Sequence, residues 1–203
     1  MTKLAQDKIL DRIIRVVKPQ SRVLDLGCGD GTLLADLHRI CHTQGYGIEI
    51  NSEKVLSCIQ KGIWVYQGDL DEGLSGIPDH SYEYVILSHT LQEIHRPVMI
   101  LNEMLRVGQK GIVTFPNFGF WRVRLHLIFS GKTPVSDALP FTWYNTPNIR
   151  VLTIEDFKQL CRDLGFKVTA DYSVSHYPRL TRYLPFLRNL LSEHGVFVIE
   201  KIT

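Results

Sequence analysis

Between an apolar run and a helical pattern, this chain sets three glycines at alternating positions: Val23-Leu-Asp25-Leu-Gly27-Cys28-Gly29-Asp30-Gly31-Thr32. No other stretch narrows the fold as much. Val23 to Leu26 is apolar apart from Asp25, the pattern of a strand covered on both faces of a parallel sheet. Glycine allows the backbone to turn sharply and other groups to approach it closely. The helix expected from Thr32 to Ile40, with Leu33, Leu34, Leu37 and Ile40 inward, begins with free N–H groups over that turn. Strand, glycine turn and helix in this order point to an α/β architecture.

The alternation continues. Residues 4–17 read as an amphipathic helix, with Ile9, Leu10, Ile13, Val16 and Val17 on one side. Strands are expected at Tyr46–Ile50, Trp64–Gln67, Tyr84–Leu87 and Gly111–Phe115, the last closed by Pro116-Asn117. Asn51 is placed to cap a helix that ends before Gly62. Pro97 suits the first turn of another helix, whose Val98, Leu101 and Leu105 would face the sheet. Thr153 caps a further helix, with Phe157, Leu160 and Leu164 apolar and Gly165 as its stop. Residues 166–174 and 195–202 complete the fold as an antiparallel pair. The expectation is one domain, 1–203, built on a doubly wound, mostly parallel sheet whose final strands are antiparallel.

Two stretches break the pattern. Residues 118–150 form an insertion rich in aromatic and Pro residues, with Arg122, Arg124, Lys132 and Arg150 against the single Asp137. Residues 177–193 form a second, smaller one, with Leu180, Leu184, Leu187 and Leu191 at helical spacing interrupted by Pro185. Such a surface suits RNA stacking, a protein interface, or a cap that buries its own aromatics.

Composition sets the outer bounds. A net charge of +2 supplies no global drive toward nucleic acid. The four cysteines (28, 41, 58 and 161) are too widely spaced for a zinc knuckle or disulfide framework, so we expect a reducing, cytoplasmic setting and no metal. We expect no membrane span, because no apolar run approaches the length required, and the N-terminus has no signal-peptide core.

The acidic residues discriminate among ligands of the glycine loop. A P-loop needs Gly-Lys-Ser/Thr, and here Gly31-Thr32-Leu33 stands instead. Asp25 and Asp30 oppose a pyrophosphate but suit a ligand carrying an ammonium and a sulfonium. Glu49, closing the second strand, can accept both ribose hydroxyls. Asp69, in Gly68-Asp69-Leu70, can accept from an adenine amino group. Together these predict a site for S-adenosyl-L-methionine (AdoMet) or S-adenosyl-L-homocysteine, made by Asp25, Gly27, Cys28, Gly29, Gly31, Glu49, Asp69, Leu70 and Ser88. His89, beside Ser88 at the carboxyl edge of strand four, is the candidate general base; a polar residue lining the cofactor pocket is the plainer alternative. The Asp/Asn-Pro-Pro-aromatic signature of amino-methyltransferases is missing from that loop, which counts against nucleic acid as an acceptor.

The ordered set of Asp25, glycines, Glu49 and Gly68-Asp69 resembles the class I AdoMet-dependent methyltransferase fold. Nearly the whole chain is similar to the MetW family of methionine-biosynthesis proteins, through Val23–Gly31, Gln67–Asp71, Leu91-Gln92, Phe115–Gly119, Trp121–Arg124, Trp143-Tyr144 and Thr146–Ile149. That resemblance implies association with homoserine O-acyltransferase and a partner or regulatory role. In the family pattern a His often stands at Phe120 and an Asp at Asn145, so this chain has lost two proton acceptors. Methyl transfer to a small metabolite is the alternative function.

Overall fold

In a computed structural model that describes residues 3–175 and 177–202, the chain folds around one mixed sheet. Its strands are β1 (Arg22–Leu26), β2 (Gln44–Glu49), β3 (Trp64–Gln67), β4 (Tyr82–Ser88), β5 (Gly108–Pro116), β6 (Phe166–Asp171), β7 (Val174–Ser175) and β8 (Ser192–Lys201). The order across the sheet is β3-β2-β1-β4-β5-β8-β6, with β7 beside β8. β1 to β5 run parallel to one another, and β8 runs antiparallel between β5 and β6. The strand order reverses between β1 and β4, which opens a crevice at the carboxyl ends of those strands.

The helices are α1 (Lys3–Val16), α2 (Thr32–Cys41), α3 (Ser52–Gln60), α4 (Pro97–Val107), α5 (Trp121–Ser130), α6 (Ile154–Asp163), α7 (Pro178–Tyr183) and α8 (Arg188–Leu191). They cover both faces of the sheet. Ile9, Ile13 and Val17 from the α1 region, Leu34, Leu37 and Cys41 of α2 and Cys58 of α3 pack on one face against Val23, Ile86 and Ile112. Ile100, Leu101, Met104 and Leu105 of α4 and Phe157 and Cys161 of α6 pack on the other against Leu24, Val85, Phe115 and Phe197. Burial on both faces explains why the central strands β1, β4 and β5 carry apolar runs.

The caps follow the sequence. The Asn51 side chain accepts from the N–H groups of Glu53 and Lys54, and Thr153 forms a capping box with Asp156. Two of the expected inward residues point outward instead: Ile40 and Val98 are exposed. At 100° per residue each lies about a quarter turn from the centre of its buried stripe. Cys41 takes the inward position in α2, and Ile100 and Met104 fill it in α4. The insertion at 118–150 holds a helix, α5, that the apolar pattern does not announce. Among the described residues, no helix is long and apolar enough to cross a membrane. The four cysteines are free thiols.

Candidate cofactor site

A cavity of about 1260 Å³ lies at the carboxyl ends of β1, β2, β3 and β4. It exceeds the 300–1,000 Å³ usual for small-molecule clefts, so a nucleoside-sized ligand would leave room to spare. Its floor is the glycine loop. Gly27 and Cys28 donate to the Ile48 carbonyl at 2.8 and 3.0 Å, which seats the loop on β2. The three glycines have φ of 75°, 59° and 76°, the left-handed region that other residues rarely enter. Lys61 pins the loop's exit: its Nζ donates to the Asp30 carbonyl, to Asp30 Oδ2 at 2.6 Å and to Thr32 Oγ1. That ammonium holds the Asp30 carboxyl below its usual range.

The glycines differ in what they leave open. A Cβ on Gly29 would meet nothing within 4 Å, so this backbone faces empty cavity. On Gly27 it would come within 2.7 Å of Thr90 in the loop after β4. On Gly31 it would lie 3.0 Å from Cys58 Sγ. Gly31 lines no part of the cavity; as the residue before α2 it lets the loop pack on α3. Gly29→Val is therefore expected to lose ligand binding by more than about a hundredfold, because the branched side chain fills the cradle. The cost to the fold should be only about 1–2 kcal/mol for a positive φ. Titration calorimetry with AdoMet, run beside a thermal melt, checks both. Near-normal binding would show that the ligand does not approach Gly29.

Asp25 is 2% exposed and lines the cavity, and its Oδ1 has no hydrogen-bond partner. Burial first, and then the neighbouring Glu49, push its carboxyl up to about 7. An unpartnered buried carboxylate oxygen is costly unless a ligand satisfies it. Glu49 is also buried, but both of its oxygens already work inside the protein: Oε2 accepts from Gly29 N–H at 2.8 Å and Oε1 from Asn51 N–H at 2.9 Å. It therefore ties the glycine loop to the turn after β2. Each carboxylate oxygen keeps further acceptor capacity.

Asp69 is exposed at the cavity wall and accepts from Asp71 N–H. Leu70, Cys28 and Ser88 line the cavity as well, and Ser88 Oγ lies 3.0 Å from Thr114 Oγ1. Ile50, 61% exposed beside Glu49, offers an apolar face between these polar groups. The sequence reading missed it, and an apolar residue directly after the strand-ending acid was the available signal. It also missed the far wall, where Asp7, Ile9, Leu10 and Ile13 of α1 close over the loop.

His89 lines the cavity with φ of 56° and stacks edge to face on His194 at 5.1 Å. Its Nε2 is buried without a hydrogen-bond partner. Burial lowers the imidazole to about 4, so the ring stays neutral at physiological pH. A base that weak gains little driving force for removing a proton.

The two insertions meet at Asn117. Its Nδ2 donates to the carbonyls of Asn189 and Ser192, at 2.8 and 2.7 Å, and its Oδ1 accepts from Gly119 and Ile154 N–H. Beyond that root the insertions expose large apolar groups: Phe129 is 82%, Trp143 73% and Phe186 76% exposed. The end of the first insertion also clasps the cavity. Ile149 and Arg150 donate their N–H groups to the Gln92 carbonyl, and the Arg150 guanidinium donates to the carbonyls of Ile94 and His95.

Comparison with known proteins adds a family and a fold. The family model described as Methionine biosynthesis protein MetW matches residues 7–199. The bifunctional methionine biosynthesis protein MetXA/MetW of Rhodopirellula baltica is 39% identical over 164 residues, 76% of this chain and 26% of that protein. The chain thus spans about a quarter of the relative's length. A SAM-dependent methyltransferase from Archaeoglobus fulgidus superposes with a TM-score of 0.70 at 18% identity, covering 98% of this chain and 95% of that one. The cyclase SpnF superposes with a TM-score of 0.68 at 19% identity, over 98% of this chain and 82% of its own. At such identities the likeness shows the fold alone, and a cyclase among these neighbours shows that the fold does not dictate methyl transfer.

Proposed function

The chain belongs to the methionine biosynthesis protein MetW family, and on that premise we propose that it is an AdoMet-binding partner that supports or regulates homoserine O-acyltransferase. Membership places it in methionine biosynthesis. The observation that carries the finer reading is the mechanical link between an exposed aromatic face and a cavity fitted for a cationic nucleoside. Gln92 is buried, and its carbonyl accepts the Ile149 and Arg150 N–H groups of the first insertion. Its side chain donates to the His89 carbonyl on the cavity wall. A ligand that shifts the loop at 88–95 would therefore pull on the end of the first insertion, at Ile149 and Arg150.

The residues present fit AdoMet. The unpartnered Asp25 oxygen suits the ligand's ammonium, Glu49 the ribose hydroxyls, Asp69 the adenine amino group, and the open backbone at Gly29 allows close approach. When bound, AdoMet supplies an already activated methyl sulfonium, so small-molecule methylation remains the second reading. The weak base at His89 favours the binding role. The relative's name joins MetXA and MetW in one chain, which supports a partner of that kind. Regulation by AdoMet requires different affinities for the active and inactive complexes.

The test is the rate of homoserine O-acyltransferase alone, with this chain, and with AdoMet added. Dependence on the chain supports the partner role, and a further effect of AdoMet supports regulation. No effect and no co-purification would leave the methyltransferase reading. Trp143 packs edge to face on Tyr144 at 5.6 Å while both remain exposed, the form of an interface anchor. Trp143→Ala is expected to weaken association by about thirtyfold, some 2 kcal/mol, with an unchanged melting temperature. Unchanged association would place the interface elsewhere.

A further inference from the structure

Resting on the assignment of the cavity to AdoMet, we propose that the site recognises its ligand by charge, binding cationic AdoMet in preference to S-adenosylhomocysteine, whose sulfur is neutral. Among the described residues, eight carboxyl groups line the cavity, at Asp7, Asp25, Asp30, Asp36, Glu49, Asp69, Asp71 and Glu93, against one lysine, Lys54, and no arginine. Three of the acids have side-chain partners: Asp30 with Lys61, Asp36 with Arg39 and Asp71 with His95. The other five have no ion pair among the described residues. Glu49 and Asp69 are met only by backbone N–H groups. The Asp25 carboxylate, 2% exposed, has an oxygen with no partner at all.

AdoMet and S-adenosylhomocysteine share the adenosine, the ammonium and the carboxylate. They differ by a methyl group and one positive charge. Every hydrogen bond the site can offer to the shared parts is offered to both, so it cannot separate them. A net negative lining can. Low-dielectric walls focus the field of the carboxylates into the cavity, and the field acts on the extra charge wherever the sulfur sits. A surplus of one sign at about 6–8 Å and intermediate dielectric corresponds to about tenfold in affinity. A transferase that binds its demethylated product as well as its substrate is slowed by that product. A regulator that ignores the product reports AdoMet itself.

Calorimetric titration of the full chain with AdoMet, S-adenosylhomocysteine and sinefungin tests the proposal. Sinefungin carries an amine, cationic at neutral pH, where AdoMet carries the sulfonium. We expect AdoMet to bind about tenfold tighter than S-adenosylhomocysteine at low salt, with sinefungin on the AdoMet side. The preference should shrink as salt screens the rim acids. The Asp7→Asn, Glu93→Gln double variant should reduce it, and Lys54→Gln should enlarge it. Opposite signs from charge-removing changes on one rim are not produced by loss of structure. Equal or tighter binding of S-adenosylhomocysteine would overturn the proposal while leaving the nucleoside site intact. If none of the three ligands binds, the cofactor assignment itself falls, and this proposal falls with it.

Discussion

In the Asp25→Asn variant, AdoMet is expected to bind about a hundredfold more weakly, yet the ligand-free protein at about pH 8 is expected to melt higher than the parent. Both results come from one buried carboxyl. Asp25 sits at the end of β1 with one oxygen unpartnered, and burial and then Glu49 raise it to about 7. Unfolded, it would titrate near 4. Between those two values the folded chain retains a proton that the unfolded chain has released, so stability falls as pH rises. The contribution is fully present below about pH 4 and is lost as the pH passes through about 7. The loss is of order a few kcal/mol. Asparagine never ionises, so the variant escapes it. Binding shifts the other way, because the charge-assisted contact offered to a cationic ligand is gone, at about 2–3 kcal/mol. Thermal melts at about pH 5 and pH 8, beside calorimetry, check the pair of effects. A variant whose melting temperature follows the parent at both pH values would show that Asp25 is not the titrating group. Unchanged AdoMet affinity would show that the ligand does not use it.

The sequence made the core of this molecule legible because the relevant constraints are local. Three glycines in five residues can end a strand and start a helix in very few ways. The acids at Asp25, Glu49 and Asp69 follow from where parallel strands end, and the structure sets all three on one cavity. Ile40 and Val98 escaped because each lies on the flank of its helix, where burial depends on how far the neighbouring sheet extends. The α1 wall of the cavity escaped for another reason. Nothing in residues 7–13 states that they fold over a loop more than ten positions later. Helix α5 is the most instructive miss. Leu125, Leu127, Ile128 and Phe129 lie on several sides of it and are exposed, whereas periodicity reports burial within one chain. An apolar helix that keeps its apolar groups in solvent has no period to read. Glu49 is intermediate: its place beside the loop was legible, but its backbone partners Gly29 and Asn51 were not.

The cavity and the exposed face are joined by β5. Thr114 accepts the His89 N–H through its carbonyl at 2.9 Å, and its hydroxyl meets Ser88, so the loop after β4 rests on this strand. Three residues after Thr114, just past the end of the same strand, stands Asn117, the root of both insertions. A shift at the cavity thus has two routes to the aromatic face, one through β5 and one through the clasp between Gln92 and Arg150. If the proposed function holds, this arrangement would let AdoMet occupancy change a partner's affinity without direct contact.

Asn117→Ala separates those functions. Asn117 is 2% exposed and makes four side-chain hydrogen bonds, two as donor and two as acceptor. Alanine leaves the Gly119 and Ile154 N–H groups and the Asn189 and Ser192 carbonyls without these partners in a buried turn. We expect a loss of about 3–4 kcal/mol, or about 10 °C in melting temperature for a chain of this size. Asn117→Asp should be no milder, because it keeps both acceptors and turns a carboxylate oxygen toward two carbonyls. The damage falls on the roots of the insertions and not on the glycine loop, since Asn117 does not line the cavity. At temperatures where the variant remains folded, its association with homoserine O-acyltransferase should therefore fall sharply while its AdoMet affinity stays near that of the parent. A parallel loss of both would mean that cavity and face form one cooperative unit. A loss of neither would mean that the partner does not bind the surface rooted at Asn117.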